Sequence, residues 1–302
     1  ARPGHVQAIR ERGLRLVSGQ GEFTLSVPAV THPSEIDWRE DDVVLLTMKS
    51  HHTEAALRDL RAAGADPWTT PIFCVQNGIA NERIAARYFR RVYGVMIQIP
   101  GVFLEDGVVY NPIEGNAGMM DLGRYPTGVD PLAEAVAERL RRATYEARPH
   151  PDVMAPKARK FLGNLGNAMG AITDGRGDSG PYMAEARREG VACLEAAGHP
   201  LESEESFRAR VQARRGRSIA LPGLRNLGSS WQSLVRRLGT IETDFLNGEV
   251  VYLGRRYGIA TPFNCVLQRI ANEMAARCEP PGRYTAEELY AMAIRLRDEA
   301  SE

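Results

Sequence analysis

Hydrophobic periodicity changes once along the chain, near Arg148-Pro149-His150-Pro151, and no single-layer fold accommodates both patterns. Before that point short apolar runs alternate with helix-periodic stretches. His5–Arg12 reads as a helix ended by Gly13, followed by strands at Leu14–Val17 and Glu22–Val27 around a Gly19-Gln20-Gly21 turn. Asp41–Met48 is a Val- and Leu-rich run of the kind buried on both faces of a parallel sheet. Thr53–Ala63 reads as a helix with Leu57 and Leu60 on one face. Pro71–Val75 is the next buried strand, stopped by the Asn77-Gly78 turn, and Ile79–Phe89 is helical again. Short strands and turns fill Tyr93–Leu122, and Pro131–Arg142 makes the last helix of this half. Such alternation predicts a parallel α/β sheet.

Beyond the switch nearly everything is helix-periodic. Lys157–Ile172, Pro181–Ala197, Glu204–Arg215, Trp231–Leu238, Glu242–Tyr257, Val266–Arg277 and Glu287–Glu299 are the expected helices, the last opened by a Thr285/Glu288 capping box. An α/β domain over 1–150 and an all-α domain over 151–302 follow, consistent with about two domains for 302 residues.

Lys+Arg and Asp+Glu balance at 38 each, so no bulk charge draws the chain to nucleic acid or an anionic membrane. The densest basic group, Arg208, Arg210, Arg214, Arg215 and Arg217, is read as a solvated helix face. No apolar run approaches the roughly 18 residues of a membrane span. Four cysteines without CxxC spacing suggest neither a metal site nor a disulfide framework, and their usage fits a reducing cytoplasm.

Gly175-Arg176-Gly177-Asp178-Ser179-Gly180 matches GxGxxG, but a helix rather than a strand leads into it, so it reads as an inter-helix loop. More informative is Lys160-Phe161-Leu162-Gly163-Asn164-Leu165-Gly166-Asn167. At ~100° per residue, Lys160, Asn164 and Asn167 fall within about 60° of one another as one polar stripe. A solvated amphipathic face gives the same pattern. Two interior glycines, each costing about 1 kcal/mol against alanine, argue that something packs closely there. Ser229-Ser230 and Glu242 would lie about 18 Å apart on one straight helix, so Gly239-Thr240 is read as a break with Thr240 as the new N-cap. Glu242 and Asp244 also suit the first turn of a helix on dipole grounds alone.

On these residues the chain resembles the ketopantoate reductase family of NADPH-dependent 2-oxoacid reductases. The resemblance runs through Ala1–His5 (as the end of a second strand), Val44–Lys49, Val75-Gln76-Asn77-Gly78, Lys160/Asn164 and Ser230…Glu242-Thr-Asp-x-x-Asn247-Gly248. It implies a Rossmann-like N-terminal domain and a helical substrate domain. It implies Lys160 as the acid that protonates the carbonyl oxygen, with Glu242 beside it. Asn164, Asn167 and Ser230 would bind substrate, and Arg2, Lys49 and Asn77 would bind NADP, Arg2 at the 2′-phosphate. The chemistry is coherent: hydride addition to a ketone builds charge on oxygen, which a cation held by a carboxylate neutralises.

Three departures accompany the resemblance. The family's first strand and glycine loop are absent ahead of Arg2, so the chain is read as N-terminally incomplete. Asn167 follows Asn164 by three residues where the family uses four, and Ile241 stands where it commonly has Thr. The last two bear on the substrate. Reduction of 2-dehydropantoate to pantoate is the leading expectation, with a small-molecule 2-oxoacid as partner, no metal, and a homodimer left open. The alternatives are a same-fold enzyme for another 2-oxoacid or 2-hydroxyacid, and a non-catalytic ligand-binding protein.

Overall fold

The computed structural model describes residues 1–213, 217–219 and 228–299, in two compact units. The first comprises Ala1–Gln76, Ala80–Lys157 and the described residues of 205–219. The second comprises Asn77–Ile79, Ala158–Glu204 and the described residues of 228–299. Sequence order alone therefore does not assign every segment.

In chain order the first unit opens with α1 (Pro3–Arg12), β1 (Leu14–Ser18), β2 (Gly21–Leu25), β3 (Val44–Leu46), α2 (Thr53–Ala62) and β4 (Pro71–Cys74). It continues with α3 (Asn81–Ala85), β5 (Arg91–Gln98), β6 (Val108–Asn111), β7 (Ile113–Glu114), β8 (Gly118–Arg124), α4 (Pro131–Arg142) and β9 (Tyr145–Pro149). Pro3, whose ring holds φ near the helical value, starts α1 two residues before His5, so the segment the resemblance takes as a strand end is largely helix.

The main sheet runs β3-β4-β5-β8-β9. Strands β3, β4 and β5 are parallel, β8 and β9 are parallel, and β5 meets β8 antiparallel. The parallel sheet expected from the sequence thus carries one antiparallel joint, where β5 returns into β8 through a connection that holds the short strands β6 and β7 rather than a crossover helix. On one face, α4 lays Ala133, Val136 and Ala137 over Phe73, Tyr93, Val95, Met120, Leu122 and Ala147. On the other, Leu57 and Leu60 of α2 pack with Leu46, Ile72, Cys74, Ala85, Phe89 and Val92. Neighbours on β4 thus serve opposite faces, as a two-residue strand period requires. The expected strand Asp41–Met48 shrinks to β3, whose Leu45 is 46% exposed, since β3 is an edge of the sheet rather than a doubly covered member.

The second unit is helical. Its chain passes through α5 (Met154–Asn164, counted here from Ala158), α6 (Gly166–Thr173) and α7 (Gly180–Ala196). The segment α8 (Glu204–Ala213) and β10 (Arg217–Ser218) belong to the first unit from Glu205 onward. Then follow α9 (Ser229–Val235), α10 (Asn247–Tyr257), α11 (Pro262–Ala276) and α12 (Ala286–Glu299), the last opened by the expected Thr285/Glu288 capping box. Tyr182, Phe263 and Tyr290 make an edge-on aromatic cluster at its centre, and the Tyr182 hydroxyl donates to the Phe263 carbonyl at 2.7 Å.

Three expectations change. The helix Lys157–Ile172 is interrupted at Leu165, so Asn167 stands on a different helix from Lys160 and Asn164. The close packing inferred at the glycines is also displaced. A Cβ on Gly163 would meet nothing within 4 Å and one on Gly166 would touch Met183 Cε at 3.8 Å. It is Gly190 of α7 that admits Leu162 Cδ2 and Leu165 Cδ1, 2.7 and 3.0 Å from where its Cβ would sit. Finally, Arg210 is not solvated: its side chain is 16% exposed and binds Asp121 Oδ2 at 2.6 Å, beside Arg148 on Asp121 Oδ1 at 2.7 Å. Arg214 and Arg215 lie outside the described residues.

Candidate active site

Within the second unit the chain brings four sequence-distant segments together. Lys160, half-buried on α5, donates from Nζ to Asn77 Oδ1. Gly78, at φ +81°, has its missing Cβ position 3.0 Å from the Phe245 carbonyl, so the 77–79 turn packs on the short 3-10 helix Glu242–Phe245. A side chain at Gly78 would be strained both by φ and by that contact. Asn167 of α6 donates from Nδ2 to Ser229 Oγ at 3.4 Å, which joins α6 to the first turn of α9 beside Ser230.

The break expected between Ser230 and Glu242 is present, with Gly239 at φ +71°. Its cap is not the expected Thr240. Ile241 takes that position without a side-chain hydrogen bond, because a 3-10 turn rather than an α-helix follows. Glu242 is buried at 4% exposure, whereas Asp244 accepts from Gln268 Nε2 and Asn272 Nδ2, both at 2.7 Å. The two acids of one motif therefore differ: Asp244 fastens α11, and Glu242 stays inside.

Two polar atoms stand out. Asn164 Oδ1 and Ser230 Oγ are buried without a hydrogen-bond partner among the described residues. A buried polar group left unmatched costs about 1–3 kcal/mol, so native folds retain few and those few call for a ligand, water or mechanism.

The first unit holds Arg2 and Lys49. Arg2 is exposed at the N-cap of α1, where its carbonyl accepts from Val6 N at 3.0 Å and the first helical turn carries no acid. Lys49 is half-buried ahead of the 3-10 helix Ser50–His52, just beyond the carboxyl end of β3. Behind it runs a buried polar chain that the sequence reading did not find. Gln76 Nε2 donates to Thr53 Oγ1 at 2.7 Å, Thr53 Oγ1 to Asn81 Oδ1 at 2.8 Å, and Asn81 Nδ2 to Ser50 Oγ at 3.0 Å. It ties the carboxyl ends of the parallel strands β3 and β4, the position at which open α/β sheets bind ligands. Gln76 Oε1 is buried there and unpartnered among the described residues. The signal available was three small polar residues placed just after apolar strands. The sequence loop Gly175–Gly180 links α6 to α7, so helix rather than strand does lead into it. Among the described residues no cluster of three His, Cys, Asp or Glu could hold a metal ion, and no helix is long and apolar enough to cross a membrane.

A sheet unit with a polar relay at its strand ends and a helical unit presenting lysine, amide, hydroxyl and carboxylate groups define a protein of the α/β-plus-helical class, which is the class of the oxidoreductase family that it matches. The family model described as Ketopantoate reductase PanE/ApbA matches residues 1–126, and its C-terminal companion matches residues 152–275. The chain belongs to the ketopantoate reductase family. It is 26% identical over 273 residues to a 2-dehydropantoate 2-reductase from Pyrococcus horikoshii, covering 87% of this chain and 84% of that one. It is 28% identical to the Archaeoglobus fulgidus 2-dehydropantoate 2-reductase, covering 88% and 85%. Among solved structures, a PanE/ApbA family ketopantoate reductase from Ralstonia eutropha JMP134 superposes with TM-score 0.74 at 24% identity, covering 92% and 90%. D-mandelate dehydrogenase in ternary complex with NADH and anilino(oxo)acetate superposes at 0.73 and 22% identity, covering 91% and 89%.

Proposed function

We propose that this protein reduces a 2-oxoacid to the 2-hydroxyacid with NADPH, 2-dehydropantoate being the first substrate to test. The observation that carries the reading is the pair of buried, unpartnered polar groups, the acceptor Asn164 Oδ1 and the Ser230 hydroxyl, which can donate or accept, in the same unit as the Lys160–Asn77 hydrogen bond. A 2-oxoacid offers a carboxylate and a carbonyl, and pantoate-like substrates add a hydroxyl that such acceptors can receive. Ser230 would hold the carboxylate, with Asn164 and Asn167 orienting the rest. Lys160 would place a proton on the carbonyl oxygen as charge develops there, and Glu242, buried at the head of the 3-10 helix on which the 77–79 turn packs, would favour the charged ammonium.

A nicotinamide cofactor, when bound, supplies the hydride. The residues fit its reduced end. Gln76 Oε1 offers an unsatisfied acceptor at the strand ends, Asn77 follows it directly in sequence, and Lys49 lies beyond the carboxyl end of the neighbouring strand β3. Arg2, ahead of an acid-free helix N-terminus, suits a 2′-phosphate. No strand–glycine loop–helix occurs among the described residues, so no contact to the pyrophosphate is assigned. We take the sheet unit, built mainly from residues 1–150, as the cofactor domain and the helical unit, built mainly from 151–302, as the substrate domain, in a cytoplasmic enzyme whose four cysteines are free.

A second reading keeps the reaction and changes the acid. It rests on Asn167, which follows Asn164 by three residues and stands on a different helix from Lys160 and Asn164. One assay separates the readings: the full natural chain with a panel of 2-oxoacids and either NADPH or NADH. Lys160→Ala should lower kcat by on the order of 10²–10⁴ with cofactor affinity retained. A panel without turnover, or an unchanged kcat, overturns the proposal.

A further inference from the structure

The second unit contains a chain of side-chain amides that ends on the backbone of the helix bearing Lys160. Asn247 and Asn264 are fully buried, Glu189 nearly so, and Leu165 is fully buried. Glu189 receives Phe263 N at 2.9 Å, Asn264 N at 3.0 Å and Asn264 Nδ2 at 2.7 Å. The other Asn264 Nδ2 hydrogen goes to the Ala186 carbonyl at 2.8 Å. With both its donors committed, Asn264 can only turn its Oδ1 toward Asn247, whose Nδ2 donates to it at 3.0 Å. The second Asn247 Nδ2 hydrogen then falls on the Leu165 carbonyl at 3.2 Å, while Asn247 Oδ1 accepts from Thr243 Oγ1 at 3.3 Å. Every amide orientation is set by the one before it, starting from a carboxylate that can only accept when ionised.

Leu165 is the residue at which the long helix is interrupted. Leu165 itself keeps helical dihedrals, φ −58° and ψ −27°, so the two half-helices meet at a single joint, and a side chain bonded to the Leu165 carbonyl acts on that joint, where nearby glycines lower the resistance. Neither Gly163 nor Gly166 is required by tight packing, since their Cβ positions meet nothing and Met183 Cε at 3.8 Å respectively. Their placement around Leu165 is explained if the compliance of that joint is what they serve.

We infer that Asn247 is a positioning residue: through the Leu165 carbonyl it sets the angle between the half-helix carrying Lys160 and Asn164 and the half-helix carrying Asn167. The inference rests on the reductase reading, because it assigns those three side chains to one substrate. Misplacing reacting groups by about 1 Å can cost on the order of 100-fold in rate, so a joint left free should be visible in turnover.

The test compares wild type, Asn247→Ser, Asn247→Ala and a control, Leu289→Ala, which opens a cavity in α12, an element that takes no part in the Glu189–Asn264–Asn247 chain. Amide hydrogen exchange over residues 160–170 and steady-state kinetics are measured on the full natural chain. Both Asn247 variants should speed exchange around 165–169, lower kcat/KM for the 2-oxoacid by about 10- to 100-fold and leave the cofactor KM within about twofold. Leu289→Ala should lose stability with its exchange at the joint and its KM values unchanged. Wild-type exchange and kinetics in a folded Asn247 variant overturn the inference, as does an equal kinetic loss in Leu289→Ala. Failure of both Asn247 variants to fold also overturns it, because Asn247 would then be holding the fold rather than tuning the site. A wild type that reduces no 2-oxoacid defeats the reductase reading instead, and the exchange pattern still decides whether Asn247 fixes the joint.

Discussion

Lys157 and Glu82 form a closed ion pair in the first unit, and its removal in two ways gives a sharp prediction. Lys157 Nζ lies 2.5 Å from Glu82 Oε1 and donates to the Cys74 carbonyl at 2.8 Å, with the two side chains 2% and 0% exposed. Lys157→Met keeps most of the stem volume but leaves Glu82 as an uncompensated buried carboxylate. Removing one partner of such a pair costs about 3–5 kcal/mol. The orphaned Cys74 carbonyl belongs to the same event, so its cost is not added. Glu82 Oε2 has no hydrogen-bond partner among the described residues, which means that even the intact pair repays its desolvation incompletely. The double variant Lys157→Met/Glu82→Leu should therefore recover to within about 1 kcal/mol of wild type. Urea unfolding at pH 7 reads this, followed by tryptophan fluorescence, to which Trp38, packed against the cluster containing Cys74, contributes, with the m value checked for constancy. A single-variant loss below about 1 kcal/mol, or a double variant as unstable as the single one, would refute the reasoning.

Three further outcomes are expected. Arg2→Ala should erode the preference for NADPH over NADH by about 10- to 150-fold in kcat/KM, the worth of a charged hydrogen bond of roughly 1.5–3 kcal/mol; an intact preference removes Arg2 from the 2′-phosphate. Burial raises the Glu189 carboxyl above its ordinary 4.5, partly opposed by the Asn264 and Phe263 backbone amides. Its contribution to stability is thus full below about 4.5 and lost as pH rises through the folded-state value. The stability gap between wild type and Glu189→Gln should shrink over that window and then level off, and a gap that widens with pH contradicts the assignment. Burial also pushes the Cys193 thiol to about 11, so iodoacetamide at pH 8 should label exposed Cys278 and spare Cys193 in the native protein; native labelling of Cys193 would show that α7 opens readily.

The sequence by itself determined the division into an α/β part and a helical part, because periods of two and of 3.6 residues are properties of a single stretch of chain. It also placed Lys160 and Asn164 one turn apart on a single helix, which follows from local helical geometry. The interruption at Leu165 was not legible, since it depends on an amide 82 residues later, Asn247, whose own orientation descends from Asn264 and Glu189. Packing was misassigned for the same reason. The glycines visible in the lysine helix suggested a close neighbour, but a contact has two sides, and the backbone that gives way is that of Gly190 on α7. The antiparallel joint of β5 and β8 and the marginal position of β3 were likewise decided by pairing between strands, which residue composition does not encode. Arg210 reads as one of five surface arginines until α8 is placed against Asp121, a carboxylate that no local pattern marks as buried. Local periodicity fixes which face of an element is apolar; only the tertiary arrangement decides which polar groups are shut away from water and must therefore find one another.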